Sequence, residues 1–397
     1  MSYFFEFYNP VKIISGVGCI DKKICEQLKF YKCKKILVLS NEKTDKRGVL
    51  SGIEKKLNTS FKVGVFKNIE NNVNSENVEK ICSIYNLNAC DSIVAVGDKN
   101  VLDTARVVRL VLSQQEEKID KVIGYHMATK AVNIPLILLP TTIGNGSEVA
   151  NQCVVYDVKK NKNVDIISNE MFANACMLDA NILEPLKRKN IAMYKVLVLA
   201  NCIEGLSSRK SSYIVKSYAY TLIYKLKEVD INSSKIGDEE KQKIMETSTL
   251  MAVMNCNNHL GVLSALASTI SLEYNISYEE IVLHLLPSVL RINKEQLKSL
   301  YEDILFHLDN SAYNKYKDNR VDYFIEYVSE LCDEIIDSYN LKNFSYIFDK
   351  NNFAMEKIIN KSIFNCANLS NVVFVTENYI RDIINLSLEG KNHERIL

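Results

Sequence analysis

Two short apolar stretches of the sequence end in glycine-containing turns, and the first of these turns has residue types suited to contacting a phosphate. In the stretch 138–149, LLPTTIGNGSEV, an apolar run ends in Thr141 and Thr142 and then in two glycines and a serine. In the stretch 94–100, VAVGDKN, an apolar run ends in a glycine and is followed by an acid, a lysine and an amide. Small residues after a buried strand let backbone N–H groups approach an anion at the start of a helix. Both stretches therefore predict ligand-contacting loops.

The elements that position these loops alternate between strands and helices. Apolar runs predict strands at 11–15, 34–40, 61–66, 91–97, 134–140 and 153–157, and helical spacing predicts helices at 75–86 and 100–112. Near-continuous apolar strands of this kind are typical of a parallel sheet covered on both faces. Ligands bind beyond the carboxyl ends of such strands, so we expect the site at the loops after Ser40, Val96 and Leu139.

The second half of the chain has a different pattern. The stretches 191–206, 212–229, 239–273 and 281–292 carry apolar residues at a spacing of 3.6, which predicts an all-helical domain. We therefore predict a Rossmann-like, nucleotide-binding-type α/β domain at 1–182 and an all-α domain at 183–397. The polar segment 227–243 predicts an exposed connection.

Composition excludes several functional classes. With 49 Lys+Arg against 48 Asp+Glu, the net charge of +1 provides no electrostatic footprint for nucleic acid. No apolar run approaches the ~20 residues that span a bilayer, and the N-terminus lacks the layout of a signal peptide. The 11 cysteines form no CxxC pair and are expected to be reduced thiols. We expect a cytoplasmic protein that binds neither membrane nor nucleic acid.

Five segments, in this order, resemble the iron-containing (group III) alcohol dehydrogenases, which are relatives of dehydroquinate synthase. They are FYNPVKIISGVG (7–18), VAVGDKNVLDTAR (94–106), LLPTTIGNGSEV (138–149), LANCIEGL (199–206) and NHLGVLSALASTISLEYNISYEEIVLHLLP (258–287). The resemblance implies a dehydroquinate synthase-like fold with NAD(P) on the N-terminal domain. It also implies one divalent metal, typically iron, held on the helical domain by one Asp and three His.

The resemblance places those four ligands on residues of other types. The Asp and the His one helical turn later correspond to Leu197 and Asn201, and the other two His correspond to Ser264 and Tyr278. Divalent iron or zinc is held by imidazole, carboxylate or thiolate groups. No metal is therefore expected. A further His of the family, near the nicotinamide, corresponds to Ser268, and Asn201, Ser264 and Ser268 are expected to form a hydrogen-bonded polar patch.

A rebuilt metal site is the alternative, and it depends on nearby His or Cys residues. His259 lies five residues before Ser264, about 140° around a helix, and faces away from it. His284 lies six residues past Tyr278, about 240° around, and is expected to be a surface or core histidine. Cys202 adjoins Asn201 but points off the same helical face.

The phosphate loop implied by the resemblance is altered. The family's three glycines and serine correspond to Gly97, Asp98, Lys99 and Asn100, so only the first glycine is kept. Asp98 places a negative charge where the phosphates would lie, although Lys99 offsets part of it. NAD(P) binding is therefore expected to be weak. The alternative is that 98–100 is a solvated turn with a helix cap at Asn100.

At other cofactor-binding positions implied by the resemblance, some residues match the family's residue and others differ from it. The resemblance places Asp103 near the nicotinamide, Thr141 and Thr142 near the adenine and ribose, and Asn41 at the family's ribose-binding Asp. A neutral Asn tolerates a 2′-phosphate better than Asp does, so NAD is not favoured over NADP. The alternative for residues 144–147 is an architectural turn that starts the next helix, with Glu148 near its N-terminus.

Three functional hypotheses follow. The first is a catalytically silent family member that acts as a scaffold, a regulatory ligand binder, or a dimer partner in a homodimer or a heterodimer with an active paralogue. The alternative is an active NAD(P)-dependent alcohol dehydrogenase or aldehyde reductase with a metal-independent or rebuilt site, in which Tyr278 donates the proton. Glu279 and Glu280 follow Tyr278 and are expected to raise its pKa. The third is a non-enzyme that binds another nucleotide or phosphometabolite.

Overall fold

The computed structural model describes residues 5–70, 72–116, 118–144, 146–227, 236–258, 260–350 and 354–389. The chain divides into two compact units. The sheet unit comprises Tyr8–Pro185 and Lys235–Cys256, and the helical unit comprises Met1–Phe7, Leu186–Ser234 and Asn257–Leu397. The predicted order of an α/β part followed by a helical part is confirmed. The segment 235–256 groups with the sheet unit, whereas the sequence pattern assigns it to the second domain.

Parallel pairing builds the main sheet. The strands of the described residues are β1 (Lys12–Ser15), β2 (Lys35–Leu39), β3 (Lys62–Phe66), β4 (Ser92–Gly97), β5 (Gly124–Tyr125), β6 (Leu136–Pro140), β7 (Gln152–Asp157), β8 (Lys162–Ile167) and β9 (Ala175–Leu178). Six of them form a parallel sheet in the order β1-β9-β6-β4-β2-β3. The predicted strand at 153–157 is β7, which instead pairs antiparallel with β8 in a separate three-stranded sheet.

Helices surround the main sheet and build the second unit. The sheet unit contains α1 (Cys19–Phe30), α2 (Glu42–Lys46), α3 (Val49–Leu57), α4 (Ser75–Leu87), α5 (Lys99–Ser113) and, through Cys256, α8 (Asp238–Asn258). The helical unit contains α6 (Arg188–Ser207), α7 (Tyr213–Leu226), α9 (Val262–Tyr274), α10 (Tyr278–Ile292), α11 (Lys294–Leu308), α12 (Asn310–Lys315), α13 (Arg320–Ser338), α14 (Phe344–Lys350), α15 (Met355–Ile363) and α16 (Glu377–Glu389). Within the described ranges, no helix is both long and apolar enough to cross a membrane.

Burial explains why the strands read as continuous apolar runs. Every residue of β4 and β6 is buried. Alternate strand residues, such as Ile36 and Val38, join a core cluster with Ile24 of α1 and Leu50 of α3. The intervening residues, such as Leu37, are also buried, as expected when both faces of a parallel sheet are covered.

The structure refines several boundaries. The apolar stretch 239–273 forms two helices and not one. Helix α8 ends at Asn258, and α9 begins at Val262 after its N-cap, Gly261. Helix α4 is capped by Asn74, whose side chain accepts a hydrogen bond from the N–H of Asn77, and Ser75 is its first residue. Residues 228–235 of the predicted connection at 227–243, like His259, lie outside the described residues.

Candidate functional site

The carboxyl ends of β2, β4 and β6 bring the three predicted loops together in the sheet unit. These strands are neighbours in the sheet. The Asn41 side-chain amide, after β2, donates a hydrogen bond to Asp98 Oδ2 across 2.9 Å. The N–H of Thr141, after β6, donates to the carbonyl of Gly97 across 2.9 Å. The sheet therefore places Asn41, Asp98 and Thr141 at one edge, where parallel sheets bind ligands.

Asp98 is the N-cap of α5. Its Oδ1 accepts hydrogen bonds from the N–H of Asn100 at 3.0 Å and of Val101 at 3.4 Å. The predicted cap at Asn100 is therefore wrong, because Asn100 is the second residue of the helix. An Asp just before the first helical residue reaches the second and third N–H groups, which have no partner within the helix. Asn41 caps α2 in the same way, with Oδ1 accepting from the N–H of Thr44.

Gly97 is required by the turn itself. A Cβ atom at this position would lie 2.6 Å from Cγ2 of Val101 and 2.8 Å from its Cβ. A β-branched residue in the first turn of α5 therefore leaves no room for a side chain at the end of β4. The packing between strand and helix is by itself enough to require a glycine here, whether or not a phosphate approaches.

Asp103 is committed to an ion cluster inside the sheet unit. It is 1% exposed, forms an ion pair with Lys99 at 2.5 Å, and accepts a hydrogen bond from Arg106. Burial alone would raise the pKa of Asp103, but the charges of Lys99 and Arg106 outweigh it and lower the pKa to about 2. Arg106 also donates to the carbonyls of Ala150 and Gln152, both at 2.9 Å. The retained Asp103 therefore has a structural role in this chain.

The turn after β6 packs against α8. The N–H of Gly144 donates to Ser248 Oγ across 2.6 Å, and Thr249 donates to the buried carboxylate of Glu148 across 2.7 Å. Burial raises the pKa of Glu148. Residues Ser147–Val149 form a single 3₁₀ turn, so the expectation that a full helix starts here is wrong. These contacts favour the architectural interpretation of the turn.

Thr141 and Thr142 differ in their surroundings. Thr141 is fully buried, and its hydroxyl has no hydrogen-bond partner among the described residues, whereas Thr142 is half-buried. The backbone of Thr141 is fixed by the carbonyl of Gly97 and by the N–H of Glu184. The Thr141 hydroxyl is thus a buried polar group without a protein partner in the described part of the chain.

Replacing Gly146 by alanine tests the architectural turn. Gly146 has a φ of 66°, and a Cβ there would lie 2.1 Å from the Cβ of Ala252 on α8. We expect Gly146→Ala to lower the free energy of unfolding by about 2 kcal/mol more than Gly48→Ala, measured by urea denaturation. Gly48 is the matched control because its φ is 76° and its added Cβ would meet open space.

A second substitution separates the clash from the backbone strain. The double variant Gly146→Ala/Ala252→Gly should recover most of the difference, because it removes the clashing methyl group. If Gly146→Ala and Gly48→Ala lower the free energy of unfolding equally, the turn does not depend on close approach to α8.

The positions aligned with the family's metal ligands all lie in the helical unit. Leu197 and Asn201 are buried on α6, and the Asn201 amide donates to the Leu197 carbonyl across 2.7 Å. Ser264 lies on α9 and Tyr278 begins α10. Ser268 accepts a hydrogen bond from Asn365 and donates to the carbonyl of Ala265, both at 3.1 Å.

A hydrogen-bond chain connects Tyr278, Ser264 and Glu204. The Tyr278 hydroxyl donates to Ser264 Oγ across 3.0 Å, and Ser264 Oγ donates to Glu204 Oε2 across 2.5 Å. The N–H of Ser264 donates to the other carboxylate oxygen across 3.2 Å. Gly261 permits this approach, because a Cβ there would lie 2.8 Å from Glu204 Oε1. Glu204 was not among the predicted site residues, although an acid inside the apolar run of α6 was the available signal.

Electrostatics distinguish the members of this chain. Burial raises the pKa of Glu204 to about 7, although hydrogen bonds from Ser264 lower it in part. Burial, followed by the charge of Glu204, raises the pKa of Tyr278 above its usual value, and Glu279 adds to the effect. The predicted influence of Glu279 is thus confirmed in direction. Tyr278 can donate a hydrogen bond, but it does not readily ionise.

The remaining histidine near this region is part of the core. His284 is buried beside Phe344, and burial lowers its pKa to about 4. Among the residues that the structure describes, no three His, Cys, Asp or Glu side chains are grouped so as to hold a metal ion. The described cysteines are free thiols, and most of them are buried.

Comparison with known sequences identifies the family over most of the chain. Residues 10–180 match the iron-containing alcohol dehydrogenase model, and residues 191–385 match the C-terminal model of the same family. Sulfoacetaldehyde reductase of Bilophila wadsworthia is 25% identical over 280 residues, which are 69% of this chain and 71% of that protein. Lactaldehyde reductase of Escherichia coli K12 is 21% identical over 296 residues, 73% of this chain and 76% of that protein.

Solved structures show the same fold. A 1,3-propanediol oxidoreductase superposes with a TM-score of 0.84 at 18% identity, covering 97% of this chain and 100% of that one. The sulfoacetaldehyde reductase of Bifidobacterium kashiwanohense, solved with NAD+, has a TM-score of 0.79 at 20% identity, covering 98% and 100%. Together with the two family models, these similarities establish that the chain belongs to the iron-containing alcohol dehydrogenase family, with its dehydroquinate synthase-like fold.

Proposed function

We propose that this protein is a catalytically silent member of the family, which carries out no metal-dependent hydride transfer and acts as a scaffold, a dimer partner or a ligand binder. The observation that supports this most directly is the hydrogen-bond chain of Tyr278, Ser264 and Glu204. Two of the four aligned ligand positions use their polar atoms on each other and on a buried carboxylate. The other two are an aliphatic side chain and an amide that bonds to its own helix.

The chemistry of these side chains does not fit the family's metal. Iron and zinc in proteins are held by imidazole, carboxylate or thiolate, and none of the residues Leu197, Asn201, Ser264 and Tyr278 offers one of these groups. A bound metal would supply the Lewis acid that polarises the reacting oxygen. Because the four aligned positions lack these ligand groups, we assign no step of a mechanism to a metal in this chain.

Metal content and turnover of the purified protein test the proposal. We expect less than about 0.1 iron or zinc per chain by elemental analysis, and no oxidation of NADH or NADPH with lactaldehyde, sulfoacetaldehyde or butyraldehyde. Escherichia coli lactaldehyde reductase, assayed in parallel, is the positive control. The variant Leu197→Asp/Asn201→His/Ser264→His/Tyr278→His is the matched comparison, since it should gain metal. Stoichiometric metal in the unaltered protein would contradict the proposal.

A metal-independent aldehyde reductase is the second candidate. The same hydrogen-bond chain favours it, because a carboxyl with a pKa of about 7 is connected through Ser264 to the Tyr278 hydroxyl, which would donate the proton. If reduction is observed, Tyr278→Phe should reduce kcat at least about 100-fold, while Glu279→Gln should leave it nearly unchanged. Equal kcat values in these variants would exclude this candidate.

The proposed partner is a second copy of the chain or an active paralogue, in the cytoplasm. Edge strand β1 supports pairing, because Ile13 on this strand is 42% exposed. NAD(P) is the proposed ligand class at family level, with weak binding. Sedimentation of the purified protein tests the dimer, and a monomer at micromolar concentration would contradict the self-association.

A further inference from the structure

We propose that Asp98 acts as an intramolecular substitute for a ligand phosphate, and that it weakens the binding of diphosphate nucleotides at the carboxyl ends of β2, β4 and β6. Phosphate groups bind at helix N-termini because the first N–H groups have no partner within the helix. In this chain the Asp98 carboxylate accepts hydrogen bonds from two of those groups at α5, those of Asn100 and Val101. The donors that a phosphate would use are therefore already bound to an anion of the protein.

A second contact holds the carboxylate in this position. Asn41, from the loop after the neighbouring strand β2, donates to Asp98 Oδ2 across 2.9 Å, so both carboxylate oxygens are bonded. Asn41 is itself fixed, because its Oδ1 caps α2. Rotating Asp98 away from α5 would break contacts to both loops, so a ligand cannot displace the side chain without loss.

The charge of Asp98 is not neutralised by the lysine next to it. Lys99 is directed to Asp103, with which it forms an ion pair at 2.5 Å. Within the described part of the chain, no ion pair involves Asp98. A diphosphate brought to α5 would therefore meet both an occupied set of donors and a negative charge that has no ion-pair partner among the described residues.

The inference concerns ligand specificity and does not rest on catalytic silence. An uncharged ligand such as a nucleoside meets neither obstacle, because it carries no negative charge and does not need the N–H groups at the start of α5. The family-type residue at position 98 is glycine, which is tolerated as an N-cap at small cost in stability. Asp98→Gly should therefore free the N–H groups of α5 without unfolding the protein.

Isothermal titration with ADP, inorganic pyrophosphate and adenosine tests the inference. We expect Asp98→Gly to bind ADP and pyrophosphate at least about tenfold more tightly than the unaltered protein, with adenosine affinity unchanged within about twofold. Asp98→Ser is the second variant if the glycine variant does not fold, because serine remains a strong N-cap and carries no charge.

Asp91→Asn is the matched control. Asp91 precedes β4 at its opposite end and also accepts hydrogen bonds from two backbone N–H groups, those of Lys34 and Lys35. It should bind ADP no better than the unaltered protein. The inference is overturned if the unaltered protein binds ADP as tightly as Asp98→Gly, if folded Asp98 variants gain nothing, or if adenosine gains equally.

The outcomes are distinguishable from those of the proposed function. Metal-loaded protein that still binds ADP weakly would contradict catalytic silence and leave the role of Asp98 intact. Metal-free protein that binds ADP tightly would contradict the role of Asp98 and leave catalytic silence intact.

Discussion

Replacing Arg106 by methionine is expected to lower the free energy of unfolding by about 3–5 kcal/mol. Arg106 is fully buried, forms an ion pair with Asp103, and donates to two backbone carbonyls. Methionine fills similar space but leaves the buried carboxylate with only Lys99, whose side chain is 48% exposed. Urea denaturation measures the loss.

Two further variants establish the origin of the effect. Lys99→Met removes the partly exposed partner of the same carboxylate and should cost less than about 1 kcal/mol. Asp103→Leu/Arg106→Met removes both buried charges and should be more stable than Arg106→Met, because no fully buried carboxylate is left without its arginine partner. If Arg106→Met is as mild as Lys99→Met, the cluster is not what stabilises this part of the sheet unit.

Glu204 is expected to make stability fall as the pH rises. Its pKa in the folded protein is about 7, against an ordinary value of 4.5. The folded state therefore binds the proton more tightly than the unfolded state does. The stabilisation is fully present below pH 4.5 and is lost as the pH rises through about 7. At about 1.4 kcal/mol per pKa unit, the loss amounts to about 3 kcal/mol.

Comparing the unaltered protein with Glu204→Gln isolates this contribution. Between pH 5 and pH 8, the free energy of unfolding of the unaltered protein should fall by about 2–3 kcal/mol more than that of Glu204→Gln. Glu279→Gln is the matched control, since it removes a carboxylate next to Tyr278 but keeps the buried one. Parallel pH profiles for the unaltered protein and Glu204→Gln would contradict the prediction.

Much of the sheet unit could be predicted from local sequence patterns. The predicted strands at 34–40, 61–66 and 91–97 match β2, β3 and β4 within a residue at each end. Apolar runs encode burial on both faces, so their position along the chain is enough to place a parallel strand. The antiparallel pairing of β7 was not predictable, because pairing depends on a partner strand and not on the run itself.

The cofactor and metal positions show a different division. The sequence predicted that the loops after β2, β4 and β6 converge, since the ends of parallel strands share an edge. It also predicted that Asp98 brings an unfavourable charge. It did not predict that Asn41 holds the Asp98 carboxylate, because those residues are 57 positions apart.

The sequence by itself determined the order of strands and helices, the edge where the predicted loops meet, and the residue types at the four aligned ligand positions. These follow from periodicity and residue identity, which are local properties. Only the tertiary structure decided that Asn41 binds the Asp98 carboxylate, that Gly146 lies against Ala252, and that Glu204 bonds to Ser264, 60 residues away. Such contacts depend on how distant elements pack, and packing selects among the many partners that each polar side chain can have.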